Sequence, residues 1–214
     1  CPNCGKTVLE AALDHYVGKT DKKCQKCSST YSKIIGFWIE FLRKSLNIKR
    51  AKVEKLLADP YARTAVLNIA RSFEHFGIKK PICLYAPFLV VWDFTHKCNL
   101  RCKHCYSKSG AVEEEELSTK EAKQVVDQLA DSGVTALAFS GGEPLSRKDF
   151  FEVANYAVKR GLYISVATNG TLLTKEMAQK LKKANIHYVE ISIDGATAKT
   201  HDAFRGVDGA FDKA

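Results

Sequence analysis

From residue 88 onward, short runs rich in β-branched and aromatic residues, at 88–95, 134–139, 162–167 and 187–193, alternate with stretches of helical period. That alternation constrains the fold more than any other feature. A strand that returns beside its predecessor through a helix must run parallel to it, so an α/β section of stacked parallel strands is expected. The helix limits are well marked: Ser118 and Glu121 have capping-box spacing, Gly133 stands where a C-terminal cap belongs, and Gly161 closes the segment that starts near Ser146. In such sheets and barrels, sites form at the carboxyl ends of the strands.

Each predicted strand end carries a polar motif. After the first come Cys98, Cys102 and Cys105, spaced C-x3-C-x2-C; after the second, Ser140-Gly141-Gly142-Glu143-Pro144; after the third, Thr168-Asn169-Gly170; and the fourth runs into Ser192-Ile193-Asp194-Gly195. Three thiolates are one short of closing a four-iron cluster, and an open coordination position marks a catalytic metal site, not a structural one. Paired glycines let backbone approach a ligand closely, Glu143 offers a carboxylate to an ammonium, and Ser192 and Asp194 can bond ribose hydroxyls. All four loops are expected on one rim.

Two further sections precede this one. In residues 1–30, Cys1-x2-Cys4 and Cys24-x2-Cys27 have the spacing of a zinc ribbon or related four-cysteine site, with structural zinc expected and rubredoxin-like iron as the chemical alternative. Four cysteines close a tetrahedron, so no chemistry is assigned there. Residues 31–85 form a helical connector: Ile34, Ile35, Trp38, Phe41, Leu42 and Leu46, then Val53, Leu56 and Leu57, then Ala65, Val66, Ile69, Phe73 and Phe76 recur at helical spacing. Packing between helices is the expected use of these residues. Pro60 and Gly77 punctuate them, and 78–87 is the best linker candidate. Cys83 is expected to be an ordinary buried cysteine.

The remaining priors exclude several classes. At 214 residues and 45% hydrophobic content the chain can bury a sizeable core. No apolar run is long enough to span a bilayer, no signal peptide is expected, and clustered cysteines suit metal binding in a reducing cytosol; a cytoplasmic protein is expected. A first residue other than Met suggests part of a longer chain. The formal charge of +9 invites a nucleic-acid partner, but metal-bound thiolates would lower it to about +6 and the basic residues are dispersed, so nucleic acid is not the expected partner.

Cys98-Asn99-Leu100-Arg101-Cys102-Lys103-His104-Cys105-Tyr106, followed by the GGEP of residues 141–144, resembles the signature of the radical S-adenosylmethionine (SAM) superfamily over about 86–214. The resemblance implies a partial (β/α) barrel, here truncated at four units, preceded by the zinc-ribbon-like head and helical segment. It implies a 4Fe-4S cluster on Cys98, Cys102 and Cys105, with SAM chelating the fourth iron, and reductive cleavage of SAM to a 5′-deoxyadenosyl radical that abstracts hydrogen from substrate. Gly141, Gly142 and Glu143 would hold the methionyl ammonium, His104 would pack on the adenine, and Ser192, Asp194 and Asn169 would complete the cofactor site. The tail from Asp194 through His201-Asp202-Ala203-Phe204-Arg205-Gly206 is similar to the branch that matures peptides and modified haems and carries C-terminal auxiliary clusters. A peptide, tetrapyrrole or other small-molecule substrate, and a reduced ferredoxin- or flavodoxin-like electron donor, follow from that resemblance.

Two other readings remain. A lipid-modifying radical SAM enzyme would use the aromatic helices to receive an apolar substrate. A non-catalytic iron-sulfur or zinc interaction module would need a fourth cysteine, for which Cys83 is the one candidate. Arg205 could pair with a SAM carboxylate or cap its helix, His201 is expected to be a surface or packing residue, and the glutamates at 113–116 are expected to form a solvated approach to Ser118 or to dock a basic electron donor.

Overall fold

The computed structural model describes residues 6–19, 25–78, 80–110 and 115–214, and only the backbone of 25–30. Two compact units divide the chain, Cys1–Tyr85 and Ala86–Ala214. In the first, the helices are α1 (Val8–Tyr16), α2 (Gln25–Ser45), α3 (Arg50–Ala58) and α4 (Pro60–Phe76). Thr7 and Glu10 form the capping box of α1, Asp59 caps α4 through the Ala62 amide ahead of Pro60, and Gly77 ends α4. Arg63 of α4 holds α1 by reaching the Asp14 carboxylate at 2.6 Å and the Glu10 carbonyl at 2.6 Å.

One expectation in this unit falls outside what the structure describes, and two change. Cys1, Cys4 and Cys24 lie outside the described residues, and Cys27 is described only as backbone within α2, so the four-cysteine site does too; the described stretch between the two pairs contains helix α1. Ile34, Trp38, Phe41, Leu42 and Leu46 are exposed rather than packed between helices, because α2 turns its other face, with buried Ser32, inward. Cys83 is exposed, on a segment with no regular secondary structure to bury it.

The second unit carries β1 (Leu89–Thr95), α5 (Thr119–Ser132), β2 (Ala136–Gly141), α6 (Phe150–Lys159), β3 (Tyr163–Thr168), α7 (Lys175–Lys183), β4 (Tyr188–Ile191), α8 (Ala198–Arg205) and α9 (Ala210–Lys213). The strands are parallel and lie in chain order, β1-β2-β3-β4. Strands that add in sequence through right-handed crossovers place their helices on one face, as in an arc of a (β/α) barrel. The capping box of Ser118 and Glu121 starts α5 and left-handed Gly133 ends it, as the sequence predicts. Helix α6 starts later than expected, at Phe150, because Pro144–Ser146 first make a short 3-10 turn.

The core lies under that helical face. Leu137 and Phe139 of β2 and Ile164 and Val166 of β3 are completely buried, as their alternating burial requires. Phe139 packs edge-to-face on Phe94 at 5.0 Å and on Phe150 at 5.4 Å, joining two strands to α6. On the opposite face Leu89 and Val91 of β1 are exposed.

Candidate functional site

The carboxyl ends of β1, β2, β3 and β4 surround a cavity of about 240 Å³. Cys98, Cys102, His104, Cys105, Gly141, Gly142, Asn169, Ser192 and Asp194 line it, so the structure brings these predicted site residues together; Arg205 and Tyr106 join them. Glu143 does not line it.

Local backbone bonding shapes the rim. Where β1 ends, Thr95 and Lys97 present carbonyls that accept the amides of Gly142 at 2.7 Å and Glu143 at 2.8 Å. A Cβ at Gly142 would come within 2.2 Å of the Lys97 carbonyl oxygen, so only glycine permits this approach. Those two amides are therefore spent on the fold. The cysteine loop is closed at its far end by the Gly110 amide on the His96 carbonyl, 2.7 Å, and held against the end of α8 by Arg101 N–H to Arg205 C=O and Lys103 N–H to Phe204 C=O, at 3.0 and 2.9 Å.

Glu143 was expected to offer its carboxylate to a ligand. It is instead fully buried beneath the rim, where its oxygens accept the Thr168 hydroxyl at 2.7 Å and the amides of Asn169 at 2.8 Å and Leu145 at 3.1 Å. Burial pushes its carboxyl above the ordinary range, against the pull of those three donors. The Asn169 amide so fixed lets its side chain donate to Asn99 Oδ1 at 2.9 Å and lie 3.9 Å from the Cys98 sulfur.

The three thiols differ. Burial raises Cys98, which receives the Leu100 amide at 3.5 Å. Burial also raises Cys105, but hydrogen bonds from Ser107 and Ser109 outweigh it and leave that thiol below its ordinary value. Cys102 receives Arg205 Nη1 at 3.6 Å. The other arms of Arg205 reach Asp194 Oδ2 at 2.7 Å and the Ser192 carbonyl at 3.0 Å, so this residue neither caps its helix nor stands free: it ties the end of β4 to the cysteine loop. Among the described residues no three His, Cys, Asp or Glu side chains converge on a single ion. The three cysteines line one cavity.

His104 stacks on Phe204 at 4.6 Å and 21° and lies 3.7 Å from Asp194. His201 is completely buried, its Nδ1 accepting the Asp194 amide at 3.2 Å, which sets the turn after β4. Glu116 is no solvated glutamate: it accepts from the Thr95 hydroxyl and, at 3.2 Å, from the His96 amide, steadying the start of the cysteine loop. Sequence reasoning missed Ser107, Ser109, Asn99 and Phe204. The Ser-x-Ser of residues 107–109, which begins two residues after Cys105, was a readable signal, since hydroxyls there can reach the preceding sulfur; nothing in the sequence signalled the contact of Phe204 with His104.

The model of the radical SAM superfamily matches residues 92–214. An AdoMet-dependent heme synthase of Methanosarcina barkeri is 50% identical over 129 residues, covering 60% of this chain and 37% of that protein. A mycofactocin maturase of Mycolicibacterium smegmatis is 40% identical over 153 residues, covering 71% of this chain and 37% of that protein. The chain thus spans little more than a third of each of these relatives. Among solved structures, Streptococcus suis SuiB bound to S-adenosylmethionine superposes with a TM-score of 0.60 over 94% of this chain and 44% of that one, at 20% identity, a likeness of fold.

Proposed function

This chain belongs to the radical SAM superfamily, and from that premise we propose that Cys98, Cys102 and Cys105 hold a 4Fe-4S cluster whose open iron receives SAM. The observation that carries this reading is the placement of all three sulfurs on the same cavity as the ends of β2, β3 and β4. The donor set fits the group: three free thiols that line one cavity. When bound and reduced, the cluster supplies the electron that cleaves SAM to methionine and a 5′-deoxyadenosyl radical.

The chain's own residues then have positioning tasks. With the amides of Gly142 and Glu143 already bonded, the carbonyls of the Gly141-Gly142 turn are left to meet the methionyl ammonium. Glu143 acts from below, holding Thr168 and Asn169 in place. Ser192 and Asp194 address the ribose, and His104 with Phe204 forms an aromatic wall for the adenine. Arg205 keeps Asp194 beside the cysteine loop. The curated relatives named for heme synthesis and mycofactocin maturation support a peptide, tetrapyrrole or cofactor-like substrate; a ferredoxin- or flavodoxin-like reductant is proposed on the chemistry alone, since the cluster must receive one electron. The head cysteines Cys1, Cys4, Cys24 and Cys27 are proposed to hold a structural zinc on their spacing alone.

The test is anaerobic reconstitution, reduction, addition of SAM and assay of 5′-deoxyadenosine, beside a Cys98→Ala, Cys102→Ala, Cys105→Ala variant. Product that depends on these cysteines is the expected result. A fully loaded cluster that never cleaves SAM, even with a strong reductant, would overturn the reading in favour of an electron-transfer or interaction module.

A further inference from the structure

Helix α2 has two unlike faces. On one, Ser32 is 3% exposed, Gly36 faces the Tyr16 ring, and Glu40 accepts the Tyr16 hydroxyl at 2.5 Å while pairing with Arg43 at 2.8 Å. That face belongs to the packing on α1. On the other, Tyr31, Ile34, Phe37, Trp38, Phe41 and Leu42 follow one another at helical spacing and are each 50 to 66% exposed. Phe37, Trp38 and Phe41 form a continuous edge-to-face ladder, with centroids 6.0 and 5.7 Å apart. An exposed apolar strip of this extent is rare on a free surface and marks an interaction site.

The charges beside the strip name the partner. Lys33, Phe37, Phe41 and Lys44 stand at intervals of four, four and three residues, so the two lysines lie in the same row as the two phenylalanines. Both lysines are exposed, and no described carboxylate pairs with either. Between residues 31 and 45 Glu40 is the lone acid, and it is engaged on the opposite face. Lys49 and Lys52, next along the chain, are likewise exposed and without an ion pair to a described carboxylate. A second copy of the chain would bring like-charged rows against each other.

We propose that this face of α2 docks the chain on an anionic lipid surface, with the helix lying in the plane of the interface. Trp, Tyr and Phe suit the boundary between headgroups and acyl chains, and flanking lysines add attraction to anionic lipid. The 21 residues of α2 span about 31 Å, near the bilayer thickness. Glu40 and Arg43 on the packed face, and Lys33 and Lys44 at the margin, rule out insertion across it, and no helix among the described residues is long and apolar enough to cross a membrane. The strip lies in the unit without the cysteine loop.

The experiment is flotation of the full chain with vesicles of phosphatidylcholine and phosphatidylglycerol at about 3:1, and of phosphatidylcholine alone, at low and high salt. Flotation with the anionic vesicles, weakened at least about tenfold by high salt, by neutral lipid or by Lys33→Glu with Lys44→Glu, is expected. A Phe37→Ser, Trp38→Ser, Phe41→Ser variant, with unchanged circular dichroism, should lose flotation, since these side chains are exposed in the fold. Failure to float with anionic vesicles would overturn the proposal, as would undiminished flotation of the aromatic variant. A dimer in light scattering that this variant converts to monomer would also overturn it, assigning the strip to a second copy.

Discussion

The carboxylate of Glu143 accepts the hydroxyl of Thr168 at 2.7 Å, with Glu143 fully buried and Thr168 only 2% exposed. Through this contact the turn after β2 is bonded to the end of β3. Glu143→Ala leaves that hydroxyl and the amides of Asn169 and Leu145 without their acceptor and should cost about 3 kcal/mol in urea unfolding, while Thr168→Val should cost about 1–2 kcal/mol. Equal, near-zero effects would contradict the buried geometry.

Glu143 also makes stability depend on pH in a direction opposite to most carboxylates. Burial raises its folded-state pKa above the ordinary 4.5, so the folded state holds the proton more tightly than the unfolded chain. Its contribution is complete below pH 4.5 and fades as pH rises through the raised value. The stability difference between wild type and Glu143→Gln, followed by denaturant titration from acid upward, should therefore move against the wild type.

Two glycines should respond differently to alanine. At Gly142 the new Cβ would meet the Lys97 carbonyl oxygen at 2.2 Å, forcing β2 and the cysteine loop apart; a loss of about 3 kcal/mol or more, with impaired iron loading, is expected. At Gly161 nothing stands within 4 Å and only its φ of +83° resists, so about 1 kcal/mol is expected. Thermal unfolding and iron analysis of both variants check this.

Replacing Arg205 tests the tie between β4 and the cysteine loop. Arg205→Lys keeps the charge but cannot reach Asp194, the Ser192 carbonyl and Cys102 together. It should destabilise the unloaded chain by about 2 kcal/mol, discounted for the 28% exposure of the Asp194 side chain. It should also lower SAM affinity. Arg205→Met should lose more of both, measured by unfolding and by equilibrium dialysis of SAM on the reconstituted protein.

The alternation of strand and helix, the caps at Ser118 and Gly133 and the cysteine spacing were legible because they are local: periodicity, capping and ligand spacing act over a few residues. Sequence alone thus determined parallel strands with Cys98, Gly141, Asn169 and Asp194 at their ends, and the shared position at strand ends placed those residues on one cavity. Only the tertiary structure decided which way each side chain turns. Glu143 points inward because its neighbours Thr168 and Asn169, 25 and 26 residues away, present donors there. Phe204 reaches His104, and Arg205 reaches Cys102, because the end of α8 bonds back to the cysteine loop about a hundred residues earlier. The aromatic period of α2 foretold a helix with one apolar stripe, but not that the polar face with Ser32 and Glu40 would take the packing and leave that stripe outside. Periodicity says which residues share a face; the partners brought by distant parts of the chain decide which face is buried.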